Sequence, residues 1–366
     1  MKSLKRPCYY GEYLQLDKLL DTQHPESKRC GNEAHDETLF IIVHQAYELW
    51  FKQILHEVHH LMDVFEQPSV DEASLGAASR LLERILTIQE VLIKQLDIME
   101  TMTPLDFLDF RDYLVPASGF QSIQFKEIEI IFGLKAEYRV NFDRESFYKR
   151  LNEKDRDYLT DLELKPSLFD HIDTWLARMP FSKHNGFDFW QAYDKSVQSM
   201  LDSDREIITG NASISDDEKN FQLQDLEKTQ DSFACLIDKD KYQAQKQAGQ
   251  FRFSQQAMQA AVFINLYRDQ PILAQPFRLL TNLVKIDEAF TNWRHRHALM
   301  VHRIIGRKIG TGGSSGHGYL KQTTENNRFF SDLFNLSTFL LPRSARPELP
   351  DSLVEDLGFL FKPTRG

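Results

Sequence analysis

His35-Asp36-Glu37-Thr38-Leu39-Phe40-Ile41-Ile42-Val43-His44-Gln45-Ala46-Tyr47-Glu48-Leu49-Trp50-Phe51-Lys52 opens a stretch that reads as one long helix from about 35 to 65. Phe40, Tyr47, Phe51 and Leu55 share a face with His44, so the helix carries an aromatic stripe with an imidazole in it. Asn32 precedes it, and Asp36-Glu37 sit where acids favour the positive end of a helix.

Outward from there the pattern stays helical. Leu81, Leu82, Ile85, Val91, Leu92 and Leu96 predict a second helix over 71–99. Thr103-Pro104-Leu105-Asp106 starts a third, with a Thr cap, Pro at the first position and Asp closing a capping box. It carries Phe107, Phe110, Arg111 and Tyr113, and Pro116-Ala117-Ser118-Gly119 ends it. Further helices are predicted at 121–132, 167–178, 187–208, 215–243, 254–268 and 275–306, with 210–250 the most solvated part. No run alternates with period two, no repeat recurs, and no long Pro/Gly/Ser linker divides the chain. Twenty-seven Phe against only 16 Gly and 13 Pro agree with long elements packed through aromatic rings. A length of 366 residues suggests roughly two domains, but the pattern predicts one all-α domain over 1–366. It is expected to be a helical bundle with a helical surface excursion near 210–250.

Charge and cysteine usage exclude several classes. With 44 basic and 54 acidic residues the net charge is -10, and no long basic block offers a nucleic-acid surface. Apolar runs such as Leu39-Phe40-Ile41-Ile42-Val43 are too short to span a bilayer, and the opening Met1-Lys2-Ser3-Leu4-Lys5-Arg6 lacks a signal peptide's apolar stretch. Cys8, Cys30 and Cys235 are scattered and odd in number, so neither a disulfide framework nor a CxxC zinc site is expected. These features predict a soluble protein of a reducing compartment, without nucleic-acid or membrane partners.

Twelve histidines invite a metal reading. His56-Glu57-Val58-His59-His60 matches HExxH, which sets two histidines one turn apart on zinc with Glu as base. No Gly-rich third-ligand pattern follows it, and Lys52, Gln53 and Asp63 share its side of the helix, so a solvated face is expected instead. His44 reads either as a core histidine bonded to a carbonyl or as a ligand-facing imidazole. Arg111, flanked by Phe107 and Phe110, needs an anion, either a structural carboxylate or a ligand's. In Trp293-Arg294-His295-Arg296-His297, His297 aligns with Phe290, Trp293, Met300, Val301 and Ile304, whereas His295 aligns with Thr291, Asn292 and His302. A neutral imidazole on an apolar face suits either a core position or an axial haem ligand. Gly310-Thr311-Gly312-Gly313-Ser314-Ser315-Gly316 is neither a Walker A loop, lacking Gly-Lys-Ser/Thr, nor GxGxxG, which needs Gly at 315. It reads as a surface loop or as one that closes over a small polar ligand.

Taken together these pieces resemble the haem-dependent tryptophan 2,3-dioxygenases. The resemblance runs through Tyr10-Gly11-Glu12-Tyr13-Leu14-Gln15-Leu16-Asp17, the quoted 35–52 stretch, Glu100-Thr101-Met102-Thr103-Pro104, Phe110-Arg111-Asp112-Tyr113-Leu114 and Pro116-Ala117-Ser118-Gly119-Phe120-Gln121-Ser122. It continues in the Arg296-His297 helix, the 310–316 loop and Asp332-Leu333-Phe334-Asn335-Leu336-Ser337, while 135–285 matches loosely. It implies a haem pocket inside the bundle, haem b (one per subunit, ferrous when active), and O2 inserted across the indole C2–C3 bond of L-tryptophan. The product implied is N-formylkynurenine, at the first step of tryptophan catabolism.

By the same resemblance His297 is the axial iron ligand and His44 the catalytic histidine at the indole N–H. Arg111 holds the substrate carboxylate, Thr311 its amino-acid moiety, and Phe40 and Phe107 wall the indole. Ser118 and Gly119 lie near the haem. Tyr10 and Tyr13, on an N-terminal arm over 1–30, reach a neighbouring subunit, which implies a cytoplasmic homotetramer, a dimer of dimers with shared sites. Some bacterial members carry Tyr at the place of Phe107, so here Arg111 and the Thr311 loop bear the anchoring. An indoleamine dioxygenase of broader specificity and a haem-based sensor without turnover are the alternatives.

Overall fold

In the computed structural model the quoted segment is a single helix of 30 residues, Asp36–Phe65. Numbering only helices of eight residues or more, this is α1. It is followed by α2 (Glu72–Met99), α3 (Pro104–Arg111), α4 (Ile123–Ile131), α5 (Glu153–Glu163), α6 (Leu168–Ala177), α7 (Phe189–Gly210), α8 (Asp216–Ile237), α9 (Lys239–Gln247), α10 (Gln255–Leu266) and α11 (Pro271–Ile305). The structure describes residues 7–139, 147–149, 151–306, 308, 320 and 327–359. Among these the only strands are Lys183–His184 and Phe187–Asp188, an antiparallel pair of two residues each. Asn185 (φ 45°) and Gly186 (φ 85°) turn between them, as the primed hairpin turns require. Strands this short have no period to read. The protein is all-α, as the sequence predicts.

The helix boundaries follow local chemistry. Thr103 Oγ1 accepts from the Asp106 N–H and Asp106 Oδ2 from the Thr103 N–H, which is the expected capping box at α3. The helix predicted over 215–243 is two, because Asp238 accepts from the N–H groups of Asp240 and Lys241 and so starts α9 afresh. α11 begins at Pro271, earlier than the expected 275, and tolerates Pro276 near its start. α5 is absent from the sequence prediction. Only its Leu159 is fully buried, so its apolar period is too sparse to detect. Glu37 does more than sit at a helix start: it is 1% exposed, and its carboxylate accepts the N–H groups of Glu26 and Ser27, tying the preceding turn to α1.

One contiguous apolar core joins α1, α2, α6, α7, α10 and α11. Its backbone is the seam where α2 lies along α11. Leu82, Ile85 and Leu92 from one side and Leu279, Leu283 and Ile286 from the other are 0–3% exposed. Polar groups stitch the same seam: Gln89 Nε2 donates to the Ile286 carbonyl at 3.1 Å, and Arg296 meets Asp97 at 2.8 Å. The 210–250 excursion is only partly superficial. Most of α8 is solvated, but Phe233, Cys235, Leu236 and Tyr242 are buried, and Tyr242 donates to the Phe253 carbonyl. The excursion is rooted in the core.

The HExxH segment divides between two faces. His56, His59 and His60 are exposed, as expected of a solvated face. Glu57 departs from that expectation: it is 3% exposed and takes both bonds of Arg84 from α2, at 2.8 and 2.9 Å. Its carboxylate is spent on joining two helices. Glu57→Ala is expected to cost about 1.5–3 kcal/mol, the range for hydrogen bonds to charged groups, with no change in zinc content. His56→Ala should stay within about 0.5 kcal/mol of the parent. Thermal unfolding and metal analysis check both, and equal losses of bound zinc in the two variants would restore the metal reading.

Candidate active site

α1, α2, α3, α4 and α11 enclose a cavity of about 300 Å³, lined mainly by apolar side chains. Phe40, His44, Phe107, Arg111, Ser118, Gly119 and His297 all border it, so the structure brings together residues up to 257 positions apart. Thr311 and the whole 310–316 loop lie outside the described residues. Tyr10 and Tyr13 do not join the cavity of their own chain. They sit on a short helix, Tyr10–Leu14, at 71% and 75% exposure.

The aromatic wall is built from both helices that predicted it. Phe40 of α1 stands 5.8 Å from Phe107 and 5.5 Å from Phe110 of α3, and the latter two are 5.3 Å apart, edge to face. His44 lies against Phe40 with ring centres 4.1 Å apart. Its Nδ1 is 2.7 Å from the Phe40 carbonyl oxygen. A carbonyl only accepts, so Nδ1 carries the hydrogen and Nε2 of the neutral ring is left as an acceptor. Burial lowers the pKa of His44; the Phe40 bond and the Glu48 carboxylate oppose that in part. Glu48 is itself held at the wall by Gln124 Nε2, which donates to both its carbonyl and its carboxylate.

His297 enters from α11. Its ring stacks on Trp293, one turn earlier, with centres 5.1 Å apart and planes within 3°. Burial, with a smaller contribution from His44, brings its pKa down to about 4, so it is a neutral imidazole at neutral pH. Among the described residues it makes no hydrogen bond, which leaves its nitrogens available to a ligand. His295 points to solvent, as the helix face predicted. Arg111 is largely covered and meets the exposed Asp112 at 3.3 Å. Ser118 starts the turn before α4, and an added Cβ at Gly119 would meet nothing within 4 Å, so the backbone there faces open space.

Three features escaped sequence reasoning. Glu48 lines the cavity beside His44; the buried pair Arg294–Glu129 lines it beside His297; and the Trp293 stack orients the His297 ring. Spacing on α11 points to Trp293 and Arg294, four and three residues before His297. Nothing local points to Glu129, which is 165 residues away.

The donor set decides what such a cavity can hold. Among the described residues no group of three or more His, Cys, Asp or Glu is placed to hold a bare metal ion. A neutral imidazole with no hydrogen bond, bordering an apolar cavity, would suit an iron whose remaining ligands come mostly from a macrocycle. A family model described as tryptophan 2,3-dioxygenase matches residues 2–340.

The chain belongs to the tryptophan 2,3-dioxygenase family. It is 52% identical to the tryptophan 2,3-dioxygenase of Alteromonas mediterranea, over 99% of this chain and 100% of the relative. It is 48% identical to that of Bdellovibrio bacteriovorus (97% and 99%) and 44% identical to that of Dictyostelium discoideum (98% and 90%).

The depressed pKa gives a direct test. Above pH 6.5 His297 is neutral in both folded and unfolded chains. Below it the unfolded chain gains a proton that the folded chain takes up only near pH 4. The haem-free protein should therefore lose stability as pH falls from about 6.5 toward 4, and His297→Leu should lose less over that window. Ring-proton shifts should report a midpoint near 4; a midpoint at the ordinary histidine value would remove the claim that the cavity keeps this imidazole neutral.

Proposed function

We infer that this cavity is where the chain, an oxidoreductase of the dioxygenase type, opens the indole ring of L-tryptophan with O2 to give N-formylkynurenine. The observation that carries the reading is the pair of neutral histidines on one apolar cavity, in different hydrogen-bonding states. His297, which makes no hydrogen bond among the described residues, would hold haem b through a ring nitrogen. His44, with its hydrogen committed to Phe40, presents Nε2 as an acceptor for the indole N–H. Neither alternative, a broader indoleamine dioxygenase or a gas sensor, is favoured by the comparisons, and a sensor has no use for a carboxylate clamp.

A ferrous haem supplies what the residues lack, a partner for triplet O2, with which closed-shell indole reacts sluggishly. The chain's own residues do the placing. Phe40 and Phe107 hold the indole between aromatic surfaces and keep water out. Arg111 binds the carboxylate, and Thr311 contacts the amino-acid moiety. With its hydrogen on Nδ1, His44 presents Nε2 to the indole N–H and holds the ring in place. Both oxygen atoms enter the product, so no external reductant is consumed in the cycle.

The N-terminal arm over 1–30 completes the reading. Tyr9, Tyr10 and Tyr13 are each at least 71% exposed, an unusual state for clustered aromatics. The arm is moored to its own chain by Gln45, next to His44, whose amide donates to the Thr22 carbonyl. We read Tyr10 and Tyr13 as reaching a neighbouring subunit's cavity in a cytoplasmic homotetramer. No helix of the described residues is long and apolar enough to cross a membrane.

The purified protein should carry haem with a Soret band that shifts on adding L-tryptophan. His297→Ala should lose or greatly weaken haem binding while His44→Ala keeps it, as pigment per chain will show. Haem loss in His295→Ala but not in His297→Ala would overturn the ligand assignment.

Arg111→Ala should keep its haem and lose about 2–5 kcal/mol of transition-state stabilisation, roughly 30-fold to several-thousand-fold in kcat/KM. Tryptamine, which lacks the carboxylate, should be a poor substrate of the parent enzyme. Equal turnover of tryptamine and tryptophan would contradict the clamp.

A further inference from the structure

Metal-ligating histidines usually donate their second ring nitrogen to a carboxylate or carbonyl, and that bond fixes the direction of the ring. Among the described residues His297 lacks such a bond, and its ring stacks on Trp293. Trp293 is on the same helix and turns with it. The direction of the imidazole therefore depends on what stops α11 from rotating beside the cavity.

Arg294, three residues before His297, is placed to do this. It is 4% exposed, and its Nη2 donates to Glu129 Oε1 of α4 at 2.8 Å, where Glu129 is 6% exposed. Its Nη1 donates to the Asn327 carbonyl at 2.6 Å, and its guanidinium lies 5.2 Å from the Phe329 ring centre. Two turns earlier on α11, buried Asp287 accepts the N–H groups of Phe329 and Phe330. α11 is thus held to one strip of chain, 327–330, at two heights, and to the α4 wall at the height of His297.

An isolated buried ion pair is a poor source of net stability, because desolvation offsets much of the attraction. Its geometry is specific, however, and a planar guanidinium bridging two acceptors fixes direction in a way that apolar packing does not. We propose that the Arg294–Glu129 pair is a positioning device for His297: it sets the rotation of α11 against α4 and so aims the imidazole at the iron. The proposal rests on the reading of His297 as the haem ligand.

The test uses the haem-loaded protein and compares the parent, Glu129→Gln, Arg294→Lys and the double variant Arg294→Met/Glu129→Leu. Three quantities are measured: the thermal midpoint, the rate of haem loss to an excess of haem scavenger, and the iron–histidine stretching band of the reduced, O2-free protein. The double variant should unfold at or above the parent's temperature, since two apolar groups replace a buried pair. Its haem should leave about ten-fold faster or more, and its iron–histidine band should shift or broaden. Arg294→Lys keeps the charge but loses the bridging geometry, and should show the same spectroscopic change; it also serves if the double variant does not fold. An unchanged band with haem loss within about two-fold of the parent, in any folded variant that removes the bridge, overturns the proposal. His297→Ala separates the two claims. If it keeps the band, the ligand reading fails and the positioning role with it. If it abolishes the band while the pair's variants leave it unchanged, only the positioning role fails.

Discussion

An α-helix turns about 100° per residue, so a side chain points at a ligand only if its helix is prevented from rotating. In this protein that constraint falls on α11. A turn by one residue would replace His297 at the cavity with Arg296 or Ala298. It would also break the bond from Gln89 to the Ile286 carbonyl and the two bonds from Asp287 to Phe329 and Phe330. Leu279, Leu283 and Ile286 would leave the seam with α2 at the same time. Apolar area makes the seam favourable, but directional bonds choose which face of α11 meets it.

Charges buried around the cavity serve the same end. α4 carries Lys126, Glu127 and Glu129, each no more than 8% exposed, and each meets a different part of the chain. Lys126 lies 3.9 Å from the Phe147 ring centre, Glu127 is 3.4 Å from His59 of α1, and Glu129 holds Arg294 of α11. An unpartnered charge in such a place is costly, so each contact penalises any other placement of α4. The cavity histidines follow the opposite logic. Burial lowers the pKa of both, which favours the neutral ring, and a neutral imidazole keeps one nitrogen lone pair free to accept.

Much of this was legible in the chain. Thr103, Pro104 and Asp106 announced α3 because a capping box is written in four consecutive residues. The separation of His297 from His295 followed from helical spacing, and so did the aromatic stripe bearing His44. Less visible were features whose partners lie far away in sequence. The polar neighbours of Glu57 on its helix predict a solvated face, whereas Arg84 on the next helix draws it inward. Glu37, read as a helix-start acid, proves to hold the turn at Glu26 and Ser27. Asp238 split a predicted helix because a cap also occurs within an apolar-periodic run, where period alone cannot register it.

The sequence by itself determined the all-α class, the long helices, the family, and which faces of α1, α3 and α11 bear His44, Arg111 and His297. All of these rest on regularities a few residues long or on quoted motifs. Only the tertiary structure decided that the three faces border one cavity, that the tautomer of His44 leaves Nε2 as the acceptor, and that Arg294 meets Glu129. The first depends on helices separated by up to 257 positions coming together, the second on one carbonyl at 2.7 Å, and the third on two buried charges 165 residues apart. Helical period is a property of the local backbone. Which faces meet is decided by the burial of the whole core and by the cost of leaving any of its charges without a partner.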